Sequence, residues 1–325
     1  MRKFFSSVWF KIGCAVVVLA CLFGFNRLHV DSFASLKQNW PWLVLALALM
    51  LPPYAIVAYR FLIVLRNQGI PVDASTAIRW TMIGSFFDVV MPSNSGGDLV
   101  KCAYVVKEAG PGRRLKAVMA VAFDRILGLL GLFLLAGVAC ALGWRTVRTM
   151  PDAVNLVAFI ALVSVGSLAT LRVLGARGIY GNAKLRGWLA DHPVGARLHG
   201  VVGCFNSLRE KPGDLWVVLG LSMLNHVFWC AALLCVTKAF AQDIDLLVGF
   251  TVFPLAIFSN VFGFAGGFGV GTAAFDVIFT RLLDIHVGAA IGLTFQTLSA
   301  LSRLSGLPFY IAAPRVPEAD LVESR

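Results

Sequence analysis

Between Met91 and Arg125 the chain sets Pro92, Gly96 and Gly97 among polar and ionised side chains, with long apolar sequence on either side. Proline and paired glycine weaken a continuous helix and free backbone groups that lipid cannot satisfy, so such a break survives only inside protein or beside water. Asp88, Asp98, Lys101, Asp124 and Arg125 surround it, and Asn94 lies within it. Ionisable groups near a bilayer core are costly, which makes a binding or translocation pathway the default functional reading. The structural alternative is a set of buried ion pairs that lock helices together. Arg125, Lys101 and Arg303 would suit an anionic phosphate. Arginine offers a planar charged fork, and the Gly96-Gly97 break adds free N–H donors beside Lys101. Asp98 and Asp124 would orient these cations, or take a cationic head group or a coupling proton.

A second interruption contains Gly263, Gly266, Gly267, Gly269 and Gly271. Gly269 to Ala274 fits a dinucleotide-binding pattern with alanine last, but no strand-forming unit or soluble domain surrounds it. Gly263, Gly267 and Gly271 recur every four residues, the spacing of a smooth helix face for tight packing. Gly266, Gly267 and Gly269 are therefore expected to pack against another helix or the opposite broken segment. Asp276, Arg281 and Asp284 follow, and Gln296, Ser299 and Arg303 share one helical face in the last apolar run. Arg303 requires an anionic partner, from a neighbouring carboxylate or a ligand phosphate. Ser222 and Asn225 form a polar stripe that is expected to bind helices together rather than line a cavity.

The elements that must position these groups are apolar helices. Hydrophobic residues make up 58% of the 325 and charged ones 14%, well below the roughly 25% charge of soluble domains. Mean hydropathy is +0.81, which marks a polytopic all-α membrane protein of about seven or eight spans. The net charge of +11 comes from basic residues lying between apolar runs; that arrangement fits orientation in an anionic membrane and argues against nucleic acid. Seven cysteines and five histidines show no metal-ligand or redox spacing. No metal, no cofactor and no phosphate-cradling nucleotide loop is expected, so any energy would come from an ion gradient or from the lipid's own gradient.

In chain order, Arg2, Lys3 and Lys11 precede a first, uncleaved span from about residue 12 to 25, which places the amino terminus in the cytoplasm of a cell (inner) membrane protein. Trp40-Pro41-Trp42 marks an interface, and 43–65 crosses with a kink at Pro52-Pro53. Arg60, Arg66 and Arg79 return the chain to the basic side. Residues 75–100 are then expected as a re-entrant hairpin, because the basic loop 101–116 also belongs to the cytoplasm. Spans follow at 117–142, 154–174, 215–236, 246–262 and 287–313. Asp124 and Arg125 are adjacent and point about 100° apart, so each needs a partner elsewhere. Gly128 and Gly131 just beyond admit a neighbouring helix. The whole chain forms a single membrane domain, with halves of about 1–150 and 151–313 and a short polar tail, 314–325.

One Gly/Pro-interrupted segment in each half is the pattern of a transporter built from paired broken helices, with its site near the midplane. The motifs Pro92-Ser93-Asn94-Ser95-Gly96-Gly97-Asp98-Leu99-Val100-Lys101, then Asp124-Arg125 with Gly128, then Ala265-Gly266-Gly267-Phe268-Gly269-Val270 resemble the flippase-like integral membrane family related to the transmembrane region of lysylphosphatidylglycerol synthases. The resemblance spans almost the whole chain. It implies a helical domain with re-entrant segments that binds or moves a membrane lipid: an anionic or aminoacylated phospholipid, or a lipid-linked sugar. Lipid synthesis is not implied, since the synthases use a separate carboxy-terminal domain that does not follow within these 325 residues. Family members commonly carry a charged pair after the second glycine motif, where this chain has Gly271-Thr272. An integral-membrane transferase using Asp88 or Asp98 beside Lys101 and a non-transporting scaffold remain open as alternatives, as does homo-oligomerisation.

The basic clusters predict topology directly. A cysteine introduced at Arg113 or at Arg197 should stay unlabelled by an impermeant reagent in intact cells; labelling of either would reverse the cytoplasmic assignment of that loop.

Overall fold

The computed structural model describes residues 33–91, 96–110, 113–150, 152–174, 211–262 and 267–312. Every element among them is helical: α1 Leu36–Leu49, α2 Pro52–Asn67, α3 Ala74–Val90, α4 Gly96–Ala109, α5 Arg114–Leu142, α6 Trp144–Val147, α7 Ala153–Leu174, α8 Pro212–Ala239, α9 Leu246–Ser259, α10 Val270–Leu283, α11 Gly288–Arg303 and α12 Leu307–Ile311. Short 3-10 turns at Asn260–Phe262 and Leu304–Gly306 extend α9 and α11. Three helical stretches are long and apolar enough to cross a membrane: Leu36–Asn67, Arg114–Leu142 and Gly213–Ala239. Ala153–Gly166 and Leu246–Phe262 are shorter apolar helices. The expected first span and the basic segment around Arg197 lie outside the described residues.

α8 is the hub. It packs along α1, α2 and α5 and touches α9 and α11. Two apolar clusters meet across it. One joins Phe61, Trp80, Val105, Phe123 and Leu127 from α2 to α5; the other joins Met50, Leu233, Phe253, Phe279 and Phe295 from α1 and α8 to α11. Large apolar side chains such as Leu142, Leu162 and Trp216 face outward, as a helix surface meant for lipid requires.

Local chemistry explains the boundaries. Pro52 and Pro53 stand in the first turn of α2, where their missing N–H groups cost nothing, and the expected kink lies at Met50-Leu51, between α1 and α2 of one apolar helical stretch. Asp73 caps α3 by accepting from the N–H groups of Ser75 and Thr76. Those bonds and the Ser75 hydroxyl hold its carboxyl down to about 2, so the cap persists until pH falls through that value. α3 ends at Met91, whose backbone is extended (ψ 144°), and α4 starts at Gly96.

The second glycine segment corrects the expectation of a continuous smooth face. Gly267 and Gly269 have φ of 115° and 80°, a non-helical backbone that few other residues adopt, and Gly269 is the residue from which the helix at Val270 starts. Gly267 packs instead against the Asn260 side chain, which a Cβ would approach to 2.4 Å. Gly263 and Gly266 lie outside the described residues. The last run stays helical from Gly288 to Ile311, with a 3-10 turn at Leu304–Gly306 joining α11 to α12. Gly306 there is pressed onto the Met82 carbonyl of α3, 2.0 Å from where its Cβ would stand. Tyr310 closes the contact against Phe86 and Phe87.

α3 and α4 pack as a hairpin whose crossing is two glycines. A Cβ on Gly97 would lie 2.1 Å from the Gly84 carbonyl oxygen. A methyl there must move backbone, so Gly97→Ala should lower stability by about 1–3 kcal/mol. Gly220 on α8 has nothing within 4 Å, and Gly220→Ala should leave the melting temperature in detergent unchanged or slightly raised. Equal melting of the two variants would show that the α3–α4 crossing is loose.

Candidate functional site

Seven ionised residues of α2 to α5 and α11 converge on one open cavity of about 250 Å³. At its floor Arg60 of α2 donates from Nε and Nη2 to the two oxygens of Asp124 on α5, at 2.8 and 3.0 Å. Both side chains are about 5% exposed. This is the paired fork geometry that guanidinium and carboxylate favour. The remaining nitrogen, Nη1, donates to Ser222 Oγ of α8 at 3.1 Å. Ser222 is completely buried, and Gly131 of α5 lets it approach, since a Cβ on Gly131 would meet Ser222 at 2.4 Å. Gly128, one turn earlier, faces the Arg60 guanidinium.

Lys101 of α4 reaches the same floor. Its Nζ is 3.9 Å from Asp124 Oδ2 and 4.5 Å from the centre of the Phe61 ring. The ammonium is therefore held by a shared carboxylate and an aromatic face. Its aliphatic stem lies over Gly84 of α3, where a Cβ would collide with it at 2.8 Å. A glycine in α3 thus permits a buried lysine from α4.

The upper rim is less buried. Arg125 of α5 donates through Nη1 to Asp98 Oδ2 of α4, and these side chains are 35% and 28% exposed. Asp88 of α3 accepts from the N–H of Gly97 at 2.8 Å. Its other oxygen lies 3.8 Å from Arg303 Nη1, inside ion-pair range but beyond a hydrogen bond. Tyr54 of α2 shares a 2.8 Å hydrogen bond with Ser302 and ties the start of α2 to the end of α11.

Of the residues expected from sequence, Asp98, Lys101, Asp124, Arg125 and Arg303 line this cavity. Gly96 and Gly97 are buried behind it in the first turn of α4. Asp124 and Arg125 find partners on different helices, as adjacent helical positions require. Asp276 is buried in α10 with its backbone against Gly288 of α11, and Arg281 is exposed on the last turn of α10. Neither lines the cavity. Gly267 belongs to a second polar cluster, in which Gln296 Nε2 donates to Asn260 Oδ1 at 2.9 Å and Thr272 donates to Gln296 at 2.6 Å. Asn94 and Gly266 lie outside the described residues.

Sequence reasoning missed Arg60, grouping it with the basic loop flanks. Its signal was an arginine with five uncharged residues on each side, Ala55 to Tyr59 and Phe61 to Leu65, a position from which no snorkelling reaches water cheaply. It also joined Ser222 and Asn225 in one role. Ser222 binds helices together, whereas Asn225 lines the cavity with His226.

Comparison with curated proteins and with solved structures returns no match. The family model described as the lysylphosphatidylglycerol synthase TM region matches residues 9–304. With nearly its whole length matched and seven ionised residues gathered in one cavity of an apolar helical bundle, the chain is a membrane protein that belongs to the lysylphosphatidylglycerol synthase transmembrane-region family.

Proposed function

We propose that the chain binds the phosphate-bearing head group of a membrane lipid in this cavity and moves it across the cell membrane, with the amino terminus cytoplasmic. The observation that carries the reading is the charge inventory of the cavity. Arg60, Lys101, Arg125 and Arg303 face Asp88, Asp98 and Asp124 among the described lining residues, four cations against three carboxylates, in a bundle otherwise built for lipid. Such an inventory accepts one negative charge. Arg125 and Arg303 stand at the more exposed rim, where a phosphate can share them with Asp98 and Asp88, and their flat donors suit its oxygens. The volume suits a head group with its acyl chains left outside.

The helix breaks support movement as well as binding. The α3–α4 hairpin, read as re-entrant, and the broken segment before α10 give each half one interruption, the arrangement in which one half can rock against the other around a central site. Arg60, Asp124 and Ser222 have a different part. Their deep burial and paired geometry favour a structural lock beneath the site, with Arg125, Lys101 and Arg303 as the groups that meet the ligand.

Two variants separate these roles in purified protein reconstituted into vesicles. Arg125→Gln should abolish movement of a fluorescent anionic phospholipid while melting stays near wild type, because the Asp98 left behind is partly solvated and its pair is worth at most about 1 kcal/mol. Normal transport by a folded Arg125→Gln protein would end the proposal. Asp124→Ala should instead cost about 3–5 kcal/mol, since Arg60 would remain buried and uncompensated. A melting temperature for Asp124→Ala equal to wild type would remove the structural lock.

A further inference from the structure

The cavity also has an uncharged wall. Thr81 of α3 and Asn225 and His226 of α8 line it, and each has a buried polar atom without a hydrogen-bond partner: Thr81 Oγ1, Asn225 Oδ1 and His226 Nδ1. Buried polar atoms left unsatisfied are uncommon and destabilising, so three on one wall, beside the Arg303 Nη1 of the phosphate site that also has no hydrogen bond, call for a physical reason. The helices gain nothing from them, whereas Ser222, three residues before Asn225, is fully used by Arg60.

Their chemistry is specific. His226 Nε2 lies 2.9 Å from the Gly128 carbonyl oxygen. A carbonyl only accepts, so Nε2 carries the hydrogen, and in the neutral ring Nδ1 is an acceptor. Asn225 Oδ1 is an acceptor, and the Thr81 hydroxyl both accepts and donates. The matching ligand groups are hydrogen donors. Ammonium groups are disfavoured, since the cavity already holds one cation more than it holds carboxylates. Asp124 serves Arg60 and Lys101, Asp98 serves Arg125, and Asp88 serves Arg303. Hydroxyl groups satisfy all three atoms without adding charge.

We infer that Thr81, Asn225 and His226 form a hydroxyl-binding subsite, so that the lipid taken by this cavity is a phosphodiester whose head group carries hydroxyls rather than an amine. The inference rests on the phosphate site proposed above and adds the identity of the group beyond the phosphate. Two lipid sources share this chemistry, a glycerol head group and a phosphate-linked sugar.

Binding of lipid probes to the full chain in nanodiscs tests it. Phosphatidylglycerol and phosphatidylmethanol carry the same charge, and only the first has hydroxyls. Wild type should prefer phosphatidylglycerol by about tenfold, the effect of one or two net hydrogen bonds. If the source is a sugar, the same preference should appear for a glucosyl polyprenyl phosphodiester over its methyl ester. Asn225→Leu and His226→Gln should each shrink the preference while phosphatidylmethanol binding and melting hold. Because the wild-type preference needs no variant, a variant that fails to fold leaves that measurement standing. Equal binding of hydroxylated and methyl probes in both pairs would overturn the subsite and leave water as the partner of these atoms. Tighter binding of phosphatidylethanolamine would overturn it too. Failure of every anionic probe to bind would strike the phosphate site instead.

Discussion

The buried fork between Arg60 and Asp124 is the interaction on which the rest of the structure depends. Two charges held at 2.8 and 3.0 Å in a low-dielectric bundle are tolerable only because each satisfies the other, with Ser222 taking the remaining guanidinium nitrogen. The contact joins α2, α5 and α8, three helices that come from distant parts of the chain. It demands close approach, and Gly128 and Gly131 provide it by clearing the face of α5 opposite Arg60 and Ser222. A bundle anchored in this way has a polar floor, and the cavity sits on it.

Above that floor the charges grade from locked to accessible. Lys101 shares Asp124 and leans on Phe61; Arg125 with Asp98 and Arg303 with Asp88 occupy the more exposed rim. Lys101 is drawn inward because α4 crosses α3 at paired glycines, whereas Arg303, in the last turn of α11, meets Asp88 at the rim. The turn that follows Arg303 anchors on α3 through Gly306 and Tyr310. The carboxy-terminal end of the described chain therefore braces the hairpin that carries Asp88, Asp98 and Lys101.

Much of this was legible in the sequence. Fifty-eight per cent hydrophobic residues, with basic clusters between apolar runs, dictate membrane helices, since no other solvent rewards that composition. Pro52 and the Gly96-Gly97 pair stand where one helix gives way to the next because their backbone chemistry acts locally. The adjacency of Asp124 and Arg125 requires partners on other helices for the same local reason: a helix sends consecutive side chains in different directions. What fails is inference from spacing alone. Gly263, Gly267 and Gly271 have the interval of a helix face, yet Gly267 and Gly269 adopt positive φ outside any helix, just before Val270 starts one.

Sequence by itself thus determined the class of protein, the positions of most helices and the fact that buried charges must be paired. Pairing itself was decided by tertiary structure. Arg60 and Asp124 are 64 residues apart, and no periodicity connects them; only the packing of α2 on α5 brings the fork to the carboxylate. The same holds for Asp88 with Arg303 and for the wall of Thr81, Asn225 and His226. Charge and hydrogen-bond complementarity act through space at a few ångströms, and the chain order carries no record of which distant groups will share that space.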